Sequence, residues 1–181
     1  QRKAALEDAA TILGRTFAHS TTLDIRIHDS RDAIAECGNQ SLGCADTPFG
    51  PTSNPGFENR VPVGVKILTG QDPNGSARDA GLWINFANNF GLGDFVGSGQ
   101  DDFKATVIHE LLHGMEWLSS IEEDGGSEFN NDTFWAPYDQ YVADANGISI
   151  IDAKTFQLDQ MRWDASKTTD VTFNGPNAMF A

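Results

Sequence analysis

Residues 109 to 117 read HELLHGMEW, and the spacing of the two histidines sets what the surrounding fold has to provide. On an α-helix His109 and His113 stand one turn apart on the same face, so both imidazoles reach one metal ion. Zinc suits that arrangement, because neutral imidazole is a good ligand for it and two ligands from one helix leave positions for a third protein ligand and a water. Glu110 then falls beside the water rather than on the ion, where a general base belongs.

The flanking residues support a helix. Phe103, Val107, Leu111, Met115 and Leu118, with Ile108 and Leu112 beside them, recur at helical spacing and leave the histidines on the opposite side. Asp101 or Asp102 suits the start as a cap, and Asp124-Gly125-Gly126 marks a turn by its end. The bland alternative is an amphipathic core helix with two histidines by chance, against which HExxH on a well-formed helix is a specific pattern.

Upstream, Leu6, Ala10, Leu13 and Phe17 give a helix over residues 3 to 17. Residues 22 to 29 alternate, with Leu23, Ile25 and Ile27 on one side and Asp24, Arg26 and His28 on the other, as in a half-buried strand. That makes His28 a surface strand residue, and His19 sits in the connection before it. Residues 37 to 60, rich in Gly, Pro, Asn and Ser, read as a long surface loop. Cys37 and Cys44 flank a short flexible segment there, and a bridge between them implies an oxidising compartment. Residues 61 to 68 read as a strand, 71 to 79 as a turn, 81 to 90 (GLWINFANNF) as another strand, and 91 to 100 as a glycine-rich loop. The expected fold class is α+β: a twisted mixed sheet with a backing helix and the HExxH helix, then a smaller irregular C-terminal lobe. Residues 1 to 120 form the N-terminal lobe and 121 to 181 the C-terminal lobe of one domain. In the latter, residues 135 to 141 pack the lobe or line a cleft, residues 155 to 163 suggest a short helix, and residues 171 to 173 a strand.

The chain of 181 residues has 26 acidic against 12 basic residues, a formal charge of −14. This argues against nucleic acid or an anionic membrane as partner, and aspartate-rich loops leave room for a calcium ion. No apolar run approaches the ~18–20 residues that span a bilayer, and Gln1 reads as a mature or trimmed end.

A catalytic zinc needs a third protein ligand. Glu122, Glu123 and Glu128 lie by the Gly125-Gly126 turn, and Asp139 is the best local candidate. HELLHGMEWLSS, preceded by GLWINFANNF and followed by PYDQYVADANG and VTFNGPNA, resembles secreted bacterial metallopeptidases related to leishmanolysin, in the metzincin group of zincins. The likeness runs from about residue 80 onward. It implies a third histidine after a long insertion, in a Ser-His segment followed by a methionine turn. That segment is expected beyond Ala181, on a second C-terminal fragment of the same precursor; Met179 has no histidine before it. Glu116 stands where metzincins carry glycine, so the turn is displaced to Gly114 or the helix runs on toward Trp117.

The resulting expectation is a secreted zinc endopeptidase with one zinc on His109 and His113 and Glu110 as general base. A protein or peptide substrate would lie as an extended strand along residues 81 to 90, near Trp83 and Phe86, with Tyr138 or Tyr141 hydrogen-bonding the oxyanion. The alternatives are a zinc amidase acting on cell-wall material and a non-catalytic adhesion domain that binds metal structurally.

Overall fold

A computed structural model describes residues 1–16, 21–47, 54–57, 62–129 and 131–175. In chain order its elements are α1 (Arg2–Thr16), β1 (Ile25–His28), α2 (Ser30–Cys37), β2 (Gly43–Asp46), α3 (Pro62–Thr69), β3 (Ala80–Ile84), β4 (Phe90–Gly91), β5 (Asp101–Asp102), α4 (Phe103–Gly114), a 3-10 turn (Pro137–Tyr141), β6 (Val142–Asp144), α5 (Gln160–Ser166) and β7 (Val171–Phe173). The fold is α+β. It divides into two compact units, Gln1–Pro48 with Val61–Glu116, and Phe49–Arg60 with Trp117–Ala181.

The first unit is built around β3, which is buried at every position. It is the middle strand of a three-stranded sheet in the order β1-β3-β2, parallel to β1 (Ile27 opposite Leu82) and antiparallel to β2 (Cys44 opposite Trp83). Alternation sends Leu82 and Ile84 to one face, where they meet Ala5, Ala9 and Leu13 of α1 and Phe103, Val107 and Leu111 of α4. Each buried Leu, Ile, Val or Phe side chain among these contributes about 1.5–3 kcal/mol by leaving water, and each Ala less. Trp83 faces the other way, its indole stacked on His28 with centroids 4.5 Å apart and planes 6° apart. Helix α2 begins there, capped by Asp29, whose side chain accepts from the Arg31 N–H at 3.0 Å. Residues covered on both faces are apolar at both parities, which is why GLWI does not alternate.

The disulfide expected from the sequence is present, joining Cys37 at the end of α2 to Cys44 in β2. The loop expected over residues 37 to 60 therefore contains a strand, although residues 48–53 and 58–60 lie outside the described set, as do His19, Phe17 and Met179. The strand expected over residues 61 to 68 is a helix instead. Pro62 takes the first helical position, where its missing N–H is no loss, and Val63 is fully buried. The strand expected over residues 81 to 90 breaks at Asn85: the Asn88 N–H donates to the Asn85 carbonyl at 3.1 Å, and pairing resumes only at β4 with β5. The helix expected over residues 155 to 163 begins at Gln160, after Asp159 caps it by accepting from the Arg162 N–H.

The second unit has few regular elements. Its buried side chains include Trp135, Val142, Ile150 and Ile151, and the Trp135 indole N–H donates to the Phe156 carbonyl at 2.8 Å. β6 and β7 pair antiparallel, as expected for residues 171 to 173. Trp117, Tyr138 and Tyr141 all pack on the Phe173 ring, so the aromatic residues around position 138 serve packing. Among the described residues no helix is long and apolar enough to cross a membrane.

Candidate metal centre

Helix α4 is set at its start by Asp102, whose carboxylate accepts from the Ala105 N–H at 3.0 Å and whose carbonyl accepts from the Thr106 hydroxyl at 2.8 Å. Phe103, Val107, Leu111 and Gly114 are buried along one stripe. A Cβ on Gly114 would come within 3.3 Å of the Ala80 Cβ, so this end of the helix lies close on the sheet. The histidines occupy the other side, His109 exposed and His113 half-buried.

Their Nε2 atoms are 2.9 Å apart, with ring planes at 88°. One ion about 2.0–2.1 Å from each nitrogen, the ordinary zinc distance, is reached without moving either ring far. The pair therefore fits two positions of a zinc site. Glu110 is 8% exposed and turned toward the start of β2, where a Cβ on Gly43 would stand 3.5 Å from the Glu110 Cγ. Burial raises the Glu110 pKa, and charge on His109 and His113 works against that rise. Gly43 is a neighbour that sequence reasoning missed, because β2 is too short for a periodic signal.

The helix ends at Gly114, as the displaced turn requires, with the Met115 and Glu116 N–H groups donating to the Leu112 and His113 carbonyls at 2.9 and 3.1 Å. The left-handed backbone nonetheless falls on Glu116, φ +71°, the position where metzincins have glycine.

Among the described residues no third His, Cys, Asp or Glu joins the pair in a group able to hold an ion. His28 is taken up by Trp83, with its Nδ1 3.4 Å from Asp32 Oδ2. Asp139 is buried in the second unit and accepts from the Ser119 hydroxyl, the Ser120 N–H and hydroxyl, and the Ala136 N–H. That carboxylate organises its own turn. Asp144, at the end of β6, and Asp152 likewise accept from nearby N–H groups: Asn146 and Ile148 for the first, Lys154 and Thr155 for the second. No family model, no curated protein and no solved structure matches the chain.

Proposed function

We propose that this chain is a zinc-dependent endopeptidase of the zincin type, working in an oxidising compartment outside the cell. The observation that carries the proposal is the convergence of the His109 and His113 Nε2 atoms at 2.9 Å, with a buried glutamate, Glu110, on the same helix. The Cys37–Cys44 bridge supports the compartment. A third ligand comes from outside the described residues, as the leishmanolysin-like pattern implies.

When bound, zinc supplies Lewis acidity toward the scissile carbonyl and lowers the pKa of a coordinated water toward about 7. The chain's own part is proton handling and positioning. Glu110 takes the proton of the attacking water and delivers it to the leaving amine, a transfer favoured by a carboxyl whose pKa burial has raised. The backbone that carries His109 and His113 is held to the sheet along Phe103, Val107 and Leu111, which keeps the two Nε2 atoms close.

The template for an extended substrate differs from the one expected. Residues 80 to 84 are paired on both sides and offer no edge. β2 is an edge strand among the described residues, and Gly43 at its start lies against Glu110. Strand addition to β2 places a peptide backbone beside the general base.

The test is cleavage of an unfolded protein by zinc-loaded material, with Glu110→Ala alongside. Glu110→Ala should retain zinc and lose about 10²- to 10⁴-fold in turnover. Normal turnover in that variant sinks the assignment of the base, and hydrolysis of cell-wall amides in place of protein replaces the peptidase reading with an amidase.

A further inference from the structure

We infer that Glu116 is a positioning residue for the histidine pair, acting through an anchor on α3; the inference rests on the metal reading of His109 and His113. An acidic residue at this point of the chain is disfavoured twice. Its backbone is left-handed, φ +71°, where a Cβ crowds the neighbouring carbonyl and glycine is the ordinary occupant. Its charge also follows the C-terminal end of α4, where the helix dipole repels an anion.

Both penalties are met by one contact. The Glu116 carboxylate occupies the space over Gly64 in which a Cβ would stand. Gly64 is in the first turn of α3, an eight-residue helix beginning at Pro62, so the carboxylate lies at the end of a helix that favours negative charge. Any side chain at position 64 larger than hydrogen would expel it. The backbone of the same residue reaches the metal helix, since the Glu116 N–H donates to the His113 carbonyl at 3.1 Å and closes the last turn of α4. Seating the carboxylate on α3 thus fixes the turn that carries His113. With the seat lost, the strained residue is free to leave the left-handed region, that turn frays, and the His113 ring loses its bearing on His109.

Three variants separate the anchor from the backbone: Glu116→Ala keeps the left-handed strain without a carboxylate, Gly64→Ala keeps the carboxylate without its seat, and Glu116→Gln keeps shape and an acceptor oxygen. Readouts are zinc affinity by chelator competition, the visible absorption of the cobalt-loaded protein, and amide exchange in metal-free protein. Glu116→Ala and Gly64→Ala should each weaken zinc binding about 10- to 100-fold, the size of effect usual for residues supporting a ligand. Both should also alter the cobalt spectrum and speed exchange at Met115 and Glu116, with far-UV circular dichroism unchanged. Glu116→Gln should stay near the native affinity, and Gly64→Ala added to Glu116→Ala should cost nothing more. Native affinity and native exchange in Glu116→Ala overturn the inference, and that variant decides alone if Gly64→Ala does not fold. Zinc uptake indifferent to His109→Ala defeats the metal reading itself, a separate result; exchange at residues 115 and 116 in Gly64→Ala then still upholds the anchor if accelerated and overturns it if not.

Discussion

Lys66 donates to both carboxylate oxygens of Asp79, at 3.0 and 3.3 Å, and Asp79 has no solvent exposure. The same ammonium lies 2.9 Å from Asp72, which is 39% exposed. Removing Lys66 leaves a buried carboxylate with the Asp24 N–H, 2.7 Å away, as its remaining hydrogen-bond donor among the described residues, whereas removing Asp72 leaves the lysine its deeper partner. Lys66→Met should therefore unfold at a distinctly lower urea concentration than Asp72→Ala, and equal midpoints would refute this. Hydrogen bonds to Asp72 and then Asp79 raise the Lys66 pKa above its ordinary 10.5. Stability from the pair is complete below about that pH and falls as pH rises through the higher folded value.

Reduction of Cys37–Cys44 should cost about 2 kcal/mol, the lower part of the usual disulfide range, because the ring it closes is short. The bridge ties an edge strand to a helix rather than crossing the core, so Cys37→Ser with Cys44→Ser should still fold. Urea titration of the native protein with and without reductant, and of the double variant, checks both statements; a variant that cannot fold contradicts them.

Acid should loosen the second unit through Asp144 and Asp152. The Ile148 N–H, followed by Arg162 and the Asn146 N–H, holds the Asp144 carboxyl below its ordinary 3.8. The Thr155 and Lys154 N–H groups do the same for Asp152. A depressed folded pKa means stability that is present above about 3.8 and lost as pH falls through the folded value. Asp144→Asn should lower the neutral-pH melting temperature and flatten its acid limb, and an unchanged limb in differential scanning calorimetry would count against the assignment.

Asp139→Ala separates a structural carboxylate from a metal ligand. The Ser120 N–H would lose its buried acceptor, at about 1–3 kcal/mol for a donor left without a partner, while the Ala136 N–H would keep the Ser120 hydroxyl oxygen at 2.9 Å. Zinc stoichiometry should stay as it was. Loss of zinc with unaltered stability would return Asp139 to the ligand set.

Much of α4 was legible because its signals are local: a stripe at positions 103, 107 and 111, an aspartate cap at 102, and histidines four apart. The Cys37–Cys44 bridge was legible for the same reason. Helix α3 was not, since Val63, Val65 and Ile67 favour a strand by propensity, and what selects the helix is burial of Val63 and the reach of Lys66 to Asp79, both tertiary. β2 was hidden because Gly43-Cys44-Ala45-Asp46 carries no alternation; only pairing with β3 makes it a strand. Glu116 could be seen to depart from the glycine of the related pattern, yet its partner Gly64 belongs to a distant segment with no sequence sign of the contact.

The parallel pairing of β1 with β3 has a kinetic side. Asp24 and Asp79, at the head of that ladder, are 55 residues apart, and so large a loop must close before the first ladder bond is gained. Helix α4 is short-range by comparison and nucleates from its own cap, but its docking platform, Leu82 and Ile84, exists only after the strands have assembled. On the proposed metal reading, the two imidazoles are therefore brought to register late in a refolding chain, and zinc offered early would meet a ligand pair that is still fluctuating.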